Sequence, residues 1–294
     1  MPESPLEPDA REPAETRRWL RPAWVRLVVM LVVFAGVDAL ANLAVGAVAG
    51  APFWCLVLGL AAAVLALWLY AGAVRFTERR SAAELRLRDA RRGLLRGAGL
   101  GLLLFTAVVL VIAAFGGYRI AGWGSPGGAV ATLGVMCAAA VAEELMFRGA
   151  ALRILEELTG TRAALVVSAV VFGGLHLLNP GATVWGALAV AVEGGLMTGT
   201  AYVATRSLWL PIGVHLAWNF AESGIYGTAV SGSGPAQAGI LHAVVSGPSA
   251  LTGGAFGPEA SLVALVVCAV PTVLFYRAAL RRGRVHRRRE LRTA

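Results

Sequence analysis

Residues 127–148 read GGAVATLGVMCAAAVAEELMFR, an apolar run that ends in charged side chains. No charge precedes Glu143 in this run, and a helix that crosses a bilayer needs about 20 mainly apolar residues. The run therefore predicts a transmembrane helix with Glu143, Glu144 and Arg148 at or inside its end. Because a charge at the bilayer centre costs about 2.5–3.5 kcal/mol on insertion scales, such residues usually face a cavity or another helix and mark a function.

The whole chain shares this apolar character. Of its 294 residues, 57% are hydrophobic and 15% are charged, and the mean hydropathy is +0.70. Average soluble domains are about 45–50% apolar and about 25% charged. The composition therefore predicts a polytopic membrane protein and not a soluble globular one.

Eight apolar segments are candidates for membrane helices, and the seventh is the shortest. The predicted fold is an all-α, polytopic transmembrane helical bundle of about eight spans with a polar intramembrane cavity. The segments lie near residues 24–46, 53–74, 97–117, 127–147, 161–178, 183–203, 208–221 and 260–277.

Arginine is the source of the net charge of +9, because no lysine occurs in the chain. Cytoplasmic loops are enriched in basic residues, and a cytoplasmic N-terminus with eight spans places the 75–96 and 148–162 loops and both termini on that side. This topology places Arg119 on the external side, as an exception to the rule. The 222–259 loop, which has no Arg or Lys, is also external. We therefore assign the basic charge to topology and to the lipid bilayer, not to nucleic acid. The lysine-free, Arg- and Ala-rich composition points to a bacterial plasma membrane.

Three regions follow from these spans. Residues 1–22, with five prolines among mixed charges, have the composition of a disordered cytoplasmic tail, and the first apolar run is too long and begins too late for a signal peptide. Residues 23–277 form the predicted transmembrane domain, and residues 278–294 form a basic cytoplasmic tail. Between the second and third spans, Ser81 and Glu84 make a capping-box pattern that predicts an amphipathic helix on the inner leaflet.

The cysteines predict neither a disulfide framework nor a cysteine metal site. Cys55, Cys137 and Cys268 are an odd, scattered set inside apolar segments, so we expect free thiols that behave as small hydrophobes. Cys137 lies two turns before Glu144 but has no adjacent base, which makes it an inert thiol and not a nucleophile.

Polar side chains repeat one helical interval on three of the predicted spans. Glu144 and Arg148 are four residues apart and can form an ion pair on one helix face, while Glu143 points about 100° away. Each helix then presents one polar stripe, and three stripes can converge on a single cavity. A carboxylate, two imidazoles and an amide are the groups needed to activate water and to stabilise an oxyanion. The pairs are Glu144/Arg148, Phe172/His176 and His215/Asn219.

Simpler interpretations of these pairs stay open at this point. Glu144 and Arg148 are also explained by an ion pair at the membrane boundary. His215 and Asn219 are also explained by hydrogen bonds between helices, which polar side chains commonly make in membrane bundles.

Other polar residues in the spans have less defined roles. Glu193 either supports the site from behind or makes an interhelical hydrogen bond. Asp38 and Asn42, again four residues apart, can line the same cavity, although nothing in the sequence ties them to it. Phe172 is expected to pack and not to react.

The three motifs, in this order on successive apolar segments, resemble those of the CPBP family, the type II CAAX prenyl endopeptidases and bacteriocin-processing proteins also called Abi. The family pattern E-E-x-x-x-R, F-x-x-x-H and H-x-x-x-N is matched by EELMFR, FGGLH and HLAWN. FRGAAL, NPGAT and TRSLWLPIGVHLAWN also look like its bacterial members. The resemblance covers about residues 130–235 and implies an intramembrane endopeptidase that acts on membrane-tethered or lipid-modified, CAAX-like substrates.

The resemblance also implies a role for each motif residue. Glu143 would be the general base that takes a proton from water, and His176 would help to hold and activate that water. His215 and Asn219 would form the oxyanion hole at the scissile carbonyl.

Glu144 and Arg148 would then be supporting residues, whose ion pair fixes the fourth helix so that Glu143 points into the cavity. The resemblance leaves a metal open: Glu143, His176 and His215 could bind Zn²⁺ as three protein ligands beside an open position, with Glu144 as the base instead. Without H-E-x-x-H on one helix the sequence does not decide between these two schemes.

Two other functions compete with a protease. A proton-coupled transporter also buries Glu and His, but its sites are typically built from internal repeats, and no repeat is visible. A non-catalytic immunity or scaffold protein needs no complete water-activating set, whereas all four residues of such a set occur here. Other intramembrane proteases are disfavoured because the sequence has no G-x-G-D pair, no H-E-x-x-H and no convincing Ser/His dyad.

Overall fold

A computed structural model describes residues 22–233 and 239–288 as a mostly helical bundle. The predicted tail of residues 1–22 lies almost wholly outside the described residues, as do the last residues of the basic C-terminal tail. The long helices are α1 (Ala23–Gly46), α2 (Pro52–Glu78), α3 (Leu87–Ala114), α4 (Pro126–Thr159), α5 (Thr161–Leu178), α6 (Val184–Thr205), α7 (residues 209–225) and α8 (Leu262–Arg281).

Seven of these helices, within the described residues, are long and apolar enough to cross a membrane. The chain is therefore an integral membrane protein with a polytopic helical bundle. The seventh predicted span, near residues 208–221, corresponds to α7. This helix has 11 residues of α-helix at Trp209–Asn219 and six of π-helix at Phe220–Ile225. It is therefore shorter than the seven helices that can cross a membrane.

Helix α4 extends further than the sequence predicted. The prediction placed a cytoplasmic loop at residues 148–162, but α4 continues to Thr159, and Arg148 lies inside it with 1% of its surface exposed. The charge on Arg148 suggested the end of a membrane segment. That interpretation was wrong because Arg148 pairs with Glu144 inside the bundle, where a paired charge is tolerated.

The predicted amphipathic surface helix near residue 81 is not a separate element. A single 3₁₀ turn at Ala83–Leu85 connects α2 to α3, and α3 then runs without interruption from Leu87 into the membrane segment. The turn has no side-chain cap. Ser81 and Glu84 do not form the capping box because the Glu84 carboxylate is buried and bonds to Arg80 and Tyr70 instead.

Glycines allow α3 and α7 to cross at very short range. A Cβ built at Gly97 would lie 2.4 Å from the Leu210 carbonyl oxygen, and one built at Gly213 would lie 2.6 Å from the Leu94 carbonyl oxygen. Only residues without a side chain permit this approach, which is typical of helix contacts in membranes. The crossing holds in place the segment of α7 that carries His215.

A small antiparallel sheet lies at one end of the bundle and was not predicted. Strand β1 (Tyr118–Trp123) follows α3, and β2 (Leu241–Val245) belongs to the long Gly- and Ser-rich loop after α7. The pairing attaches this loop to the rest of the protein. Arg119, the exception in the predicted topology, lies on β1.

Ion pairs join the basic segments at the opposite end of the bundle. Arg153 of α4 bonds to Glu78 of α2 at 2.8 Å, and Arg206 after α6 bonds to Glu156 of α4 at 2.9 Å. The segment after α8 joins the same end, since the His286 backbone N–H donates to Thr161. Because α3 has 28 residues, and a helix rises about 1.5 Å per residue, this end is a membrane thickness away from β1.

Candidate active site

The two adjacent glutamates of α4 point into different surroundings. Glu144 has no exposed surface, whereas 24% of the Glu143 side chain is exposed. Immediately after Glu144 the helix widens into a π-helix at Leu145–Leu152, in which every residue is buried. A π-segment inside an α-helix is rare and frequently occurs at functional sites.

Arg148 joins α4 to α6 through a set of polar contacts. Its guanidinium donates to the Glu144 carboxylate at 2.9 Å and to the carbonyl oxygens of Gly194 and Gly195. It also lies over the Phe172 ring, 4.6 Å from the centroid. These contacts satisfy a fully buried cation and hold α4 against α6.

His215 of α7 lies between the two glutamates. Its Nδ1 is 2.9 Å from Oε1 of Glu144, and its Nε2 is 3.9 Å from Oε2 of Glu143. Glu144 therefore bonds to both Arg148 and His215. The prediction of a structural Glu144–Arg148 pair did not include the second partner, which lies on another helix.

His176 follows the last α-helical turn of α5. Its Nδ1 lies 2.9 Å from the carbonyl oxygen of Phe172. Because a carbonyl can only accept, Nδ1 carries the proton in the neutral ring and Nε2 is left as an acceptor. Phe172 itself packs edge-on against Phe147, with ring centroids 4.9 Å apart, which is the packing role expected for it.

One open cavity of about 370 Å³ brings the three motifs together. Its polar lining includes all four residues to which the family resemblance gives a part in the chemistry. Its apolar lining comes from α4, α5 and the loop after α7. The four residues are Glu143, His176, His215 and Asn219.

The same segment matches a known protein family. The family described as "Type II CAAX prenyl endopeptidase Rce1-like" matches residues 125–221, which contain all of α4, α5 and α6 and most of α7. Residues 125–221 form an Rce1-like CAAX prenyl endopeptidase (CPBP/Abi) family domain. A domain of this family suggests an intramembrane protease. No curated protein and no solved structure is significantly similar to the chain.

Helix α1, which precedes the Rce1-like domain, also contributes to the cavity. Asp38 and Asn42 both line it, and the Asn42 amide donates to the Asp38 carboxylate at 3.2 Å. The sequence allowed this placement without establishing it. Helix α1 thus adds the Asp38 carboxyl group to the cavity that Glu143 lines.

A second, narrow cavity of about 30 Å³ lies behind His176, His215 and Asn219. Glu193 of α6 and Glu259 from the loop before α8 also line it. Of the two predictions for Glu193, the interhelical hydrogen bond is not formed, because both carboxylate oxygens are buried without a partner.

Sequence patterns did not identify Glu222 and Glu259, which the prediction placed in the outer loop of residues 222–259. Both are buried, and Glu222 lies in the π-helical end of α7. The sequence did contain a sign that Glu222 lies near the site. It follows Asn219 by three residues, which places the two side chains on neighbouring turns of one helix. For Glu259 the corresponding sign was its position directly before the last predicted span, near the membrane.

The donors in the Rce1-like domain do not fit the suggested zinc site. In residues 22–233 and 239–288, no group of three His, Cys, Asp or Glu side chains is arranged to hold a metal ion. The three cysteines of the chain are free thiols, as predicted.

Proposed function

We propose that this chain is an intramembrane endopeptidase that hydrolyses a peptide bond in membrane-tethered or lipid-modified, CAAX-like substrates. The observation that carries the proposal is that four residues of the family domain line one cavity: Glu143, His176, His215 and Asn219. Glu143 and His176 can accept hydrogen bonds from a water molecule, and His215 and Asn219 can donate to a carbonyl oxygen. Hydrolysis of an amide requires both functions.

Glu143 is the proposed general base. Its side chain is partly exposed to the cavity, whereas Glu144 is fully buried and already engaged by Arg148 and His215. Water can therefore reach Glu143 and not Glu144. Nε2 of His176 is free to accept a second hydrogen bond from the same water, which directs an oxygen lone pair towards the substrate.

His215 and Asn219 are the proposed oxyanion hole. To donate from Nε2 while Nδ1 bonds to Glu144, the ring of His215 has to carry two protons. The carboxylates of Glu144 and Glu143, 2.9 and 3.9 Å from its nitrogens, stabilise that positive charge. A positive donor is a stronger partner for a developing oxyanion than a neutral one.

The proton balance of the reaction closes on Glu143. The water oxygen forms a bond to the carbonyl carbon while Glu143 takes the water proton. When the C–N bond breaks, protonated Glu143 gives that proton to the departing nitrogen, and the products are a carboxylic acid and an amine. His215 and Asn219 hold the carbonyl oxygen during both steps.

The lining of the cavity suits a substrate that is held in the membrane. Apolar side chains surround the polar centre on the α4 and α5 sides, with contributions from Met136, Ala139, Leu175 and Leu178. We propose a bacterial plasma membrane as the location, with both termini cytoplasmic, because the basic segments gather at one end of the bundle.

The test works without an identified substrate. Protein termini are compared by mass spectrometry in membranes from host cells that carry wild-type protein, Glu143→Gln or Asp89→Asn. Asp89 is an exposed acidic residue on α3, so its substitution controls for loss of a carboxylate outside the site. New termini in the wild type and Asp89→Asn, absent in Glu143→Gln, are expected. Identical termini in all three, at equal expression, would contradict a protease and favour an immunity or scaffold protein.

A further inference from the structure

Three buried carboxyl groups lie together behind the proposed active site. Glu193 of α6, Glu222 of α7 and Glu259 before α8, here called the carboxyl triad, have 3%, 0% and 3% of their surface exposed. Both oxygens of Glu193 and Glu222, and one of Glu259, are buried and receive no hydrogen bond from another type of group, although Glu222 and Glu259 lie close enough to share a proton. Buried polar groups are nearly always satisfied in native structures, so this cluster requires an explanation.

The loop before α8 is shaped to deliver Glu259 to the other two. Gly257 adopts φ +117°, a value that side chains disfavour, and a Cβ there would lie 2.3 Å from the Ala229 carbonyl oxygen and 3.2 Å from Glu222 Oε1. The indole N–H of Trp185 then donates to the Ala260 carbonyl at 2.7 Å. Contacts on both sides of Glu259 thus fix its position.

The carboxyl groups of the triad lack an arginine partner within residues 22–233 and 239–288. The titratable groups that face Glu193 from the neighbouring elements are Glu222, Glu259 and the thiol of Cys268 on α8, with His176 and His215 across the narrow cavity. An isolated buried carboxylate costs far more than a protonated one, so the triad is most stable when it keeps protons.

The narrow cavity connects the triad to the catalytic side. Its lining joins Glu193 and Glu259 to Asn219, and its volume is about 30 Å³. A cavity holds a water molecule from about 10–15 Å³ upwards when polar groups line it. One water there can accept a hydrogen bond from a protonated carboxyl group and donate one to an amide oxygen.

We propose that the carboxyl triad is a proton-holding site that positions Asn219. The protonated carboxyl group of Glu193 donates to the water, and the water donates to the side-chain oxygen of Asn219. The amide N–H₂ group of Asn219 is thereby turned towards the scissile carbonyl. This inference rests on the proposed function, because it explains how one oxyanion-hole donor is oriented, and it makes Glu193 a positioning residue.

Two substitutions of Glu193 separate a proton donor from a charge. Glu193→Gln keeps a neutral N–H donor of the same size and is expected to retain most activity. Glu193→Leu removes the donor, and kcat is expected to fall about tenfold or more with little change in KM, because the lost orientation matters in the transition state. The thermal stability of Glu193→Leu is expected to equal or exceed that of the wild type, since a buried polar group is replaced by an apolar one.

The assay uses the full-length protein in detergent and a peptide that spans a cleavage site found by the comparison of termini. The carboxylic-acid C=O band in infrared spectra provides a second readout, and it is expected to weaken in Glu193→Gln. Equal kcat for wild type and Glu193→Leu, or inactive Glu193→Gln, or no such band in the wild type, would each overturn the inference while Glu143 stays essential. If Glu143→Gln also cleaves normally, the proposed function fails as well.

Discussion

Glu144 and His215 share a hydrogen bond of 2.9 Å that joins α4 to α7. The same carboxylate oxygen accepts from Arg148, also at 2.9 Å. The ion pair suggested by the EELMFR motif is therefore part of a longer connection. Through it, Arg148 and Glu144 hold a histidine of another helix in place.

The two adjacent glutamates are expected to respond differently to the same substitution. Glu143→Gln removes a base that the fold does not need, so kcat should fall about 10²–10⁴-fold while stability is kept. Glu144→Gln leaves Arg148 buried without its counter-ion, and loss of one partner of a buried pair costs about 3–5 kcal/mol. Activity and thermal stability in detergent, measured on both variants, check this.

The contrast between the variants is the informative result. Equal loss of stability in Glu143→Gln and Glu144→Gln would show that Glu143 is also structural. Normal activity in Glu143→Gln would remove it from the mechanism. Asp89→Asn, on the exposed start of α3, should match the wild type in both measurements.

His176 is expected to matter for catalysis more than for folding. Its ring bonds through Nδ1 to the Phe172 carbonyl and is only partly buried. His176→Ala should therefore lower kcat about 10²-fold or more with a small change in melting temperature. His242→Ala is the matched control, because His242 is exposed on β2 and does not line the cavity. Equal activity in the two variants would contradict the proposed role of His176.

Glu84, outside the membrane-spanning segments, should make stability depend on pH. Burial raises the pKa of its carboxyl group, but hydrogen bonds from Arg80 and Tyr70 outweigh this and lower it below the usual value. A lowered folded-state pKa contributes stability that is present above the unfolded value, near 4.5, and is lost as the pH falls through the folded value. The wild type should therefore melt at a higher temperature than Glu84→Gln at neutral pH, and the two melting temperatures should converge as the pH falls. A constant difference would show that the Glu84 charge is not responsible.

Most of the helices, and the residues that meet in the cavity, could be predicted from the sequence. Apolar runs locate membrane helices because the bilayer imposes length and composition. The EELMFR, FGGLH and HLAWN motifs identified residues that do line one cavity. Both successes rest on local patterns, in which spacing along the chain determines which side chains share a face.

The features that were missed depend on contacts between distant segments. The bond from Glu144 to His215 joins residues that are 71 positions apart, and no helical interval encodes it. Arg148 suggested a helix end because its partners on α6 are backbone carbonyls, which leave no sequence signal. Glu259 was placed in the outer loop because the fold that turns it inwards depends on glycine conformations and on Trp185.

The crossing of α3 and α7 offers a test of how packing supports the site. Gly97→Ala places a methyl group 2.4 Å from the Leu210 carbonyl oxygen, so the helices must separate. Overpacking of this kind costs about 1–3 kcal/mol, and it should also move His215 away from Glu144. Gly99→Ala is the matched control on the same helix, since nothing lies within 4 Å of its Cβ. Alanine favours helix more than glycine does, so Gly99→Ala should be equal to or more stable than the wild type, with full activity. Thermal stability and kcat are measured for both variants. Equal stability and equal kcat in Gly97→Ala and Gly99→Ala would mean that the close crossing does not position His215.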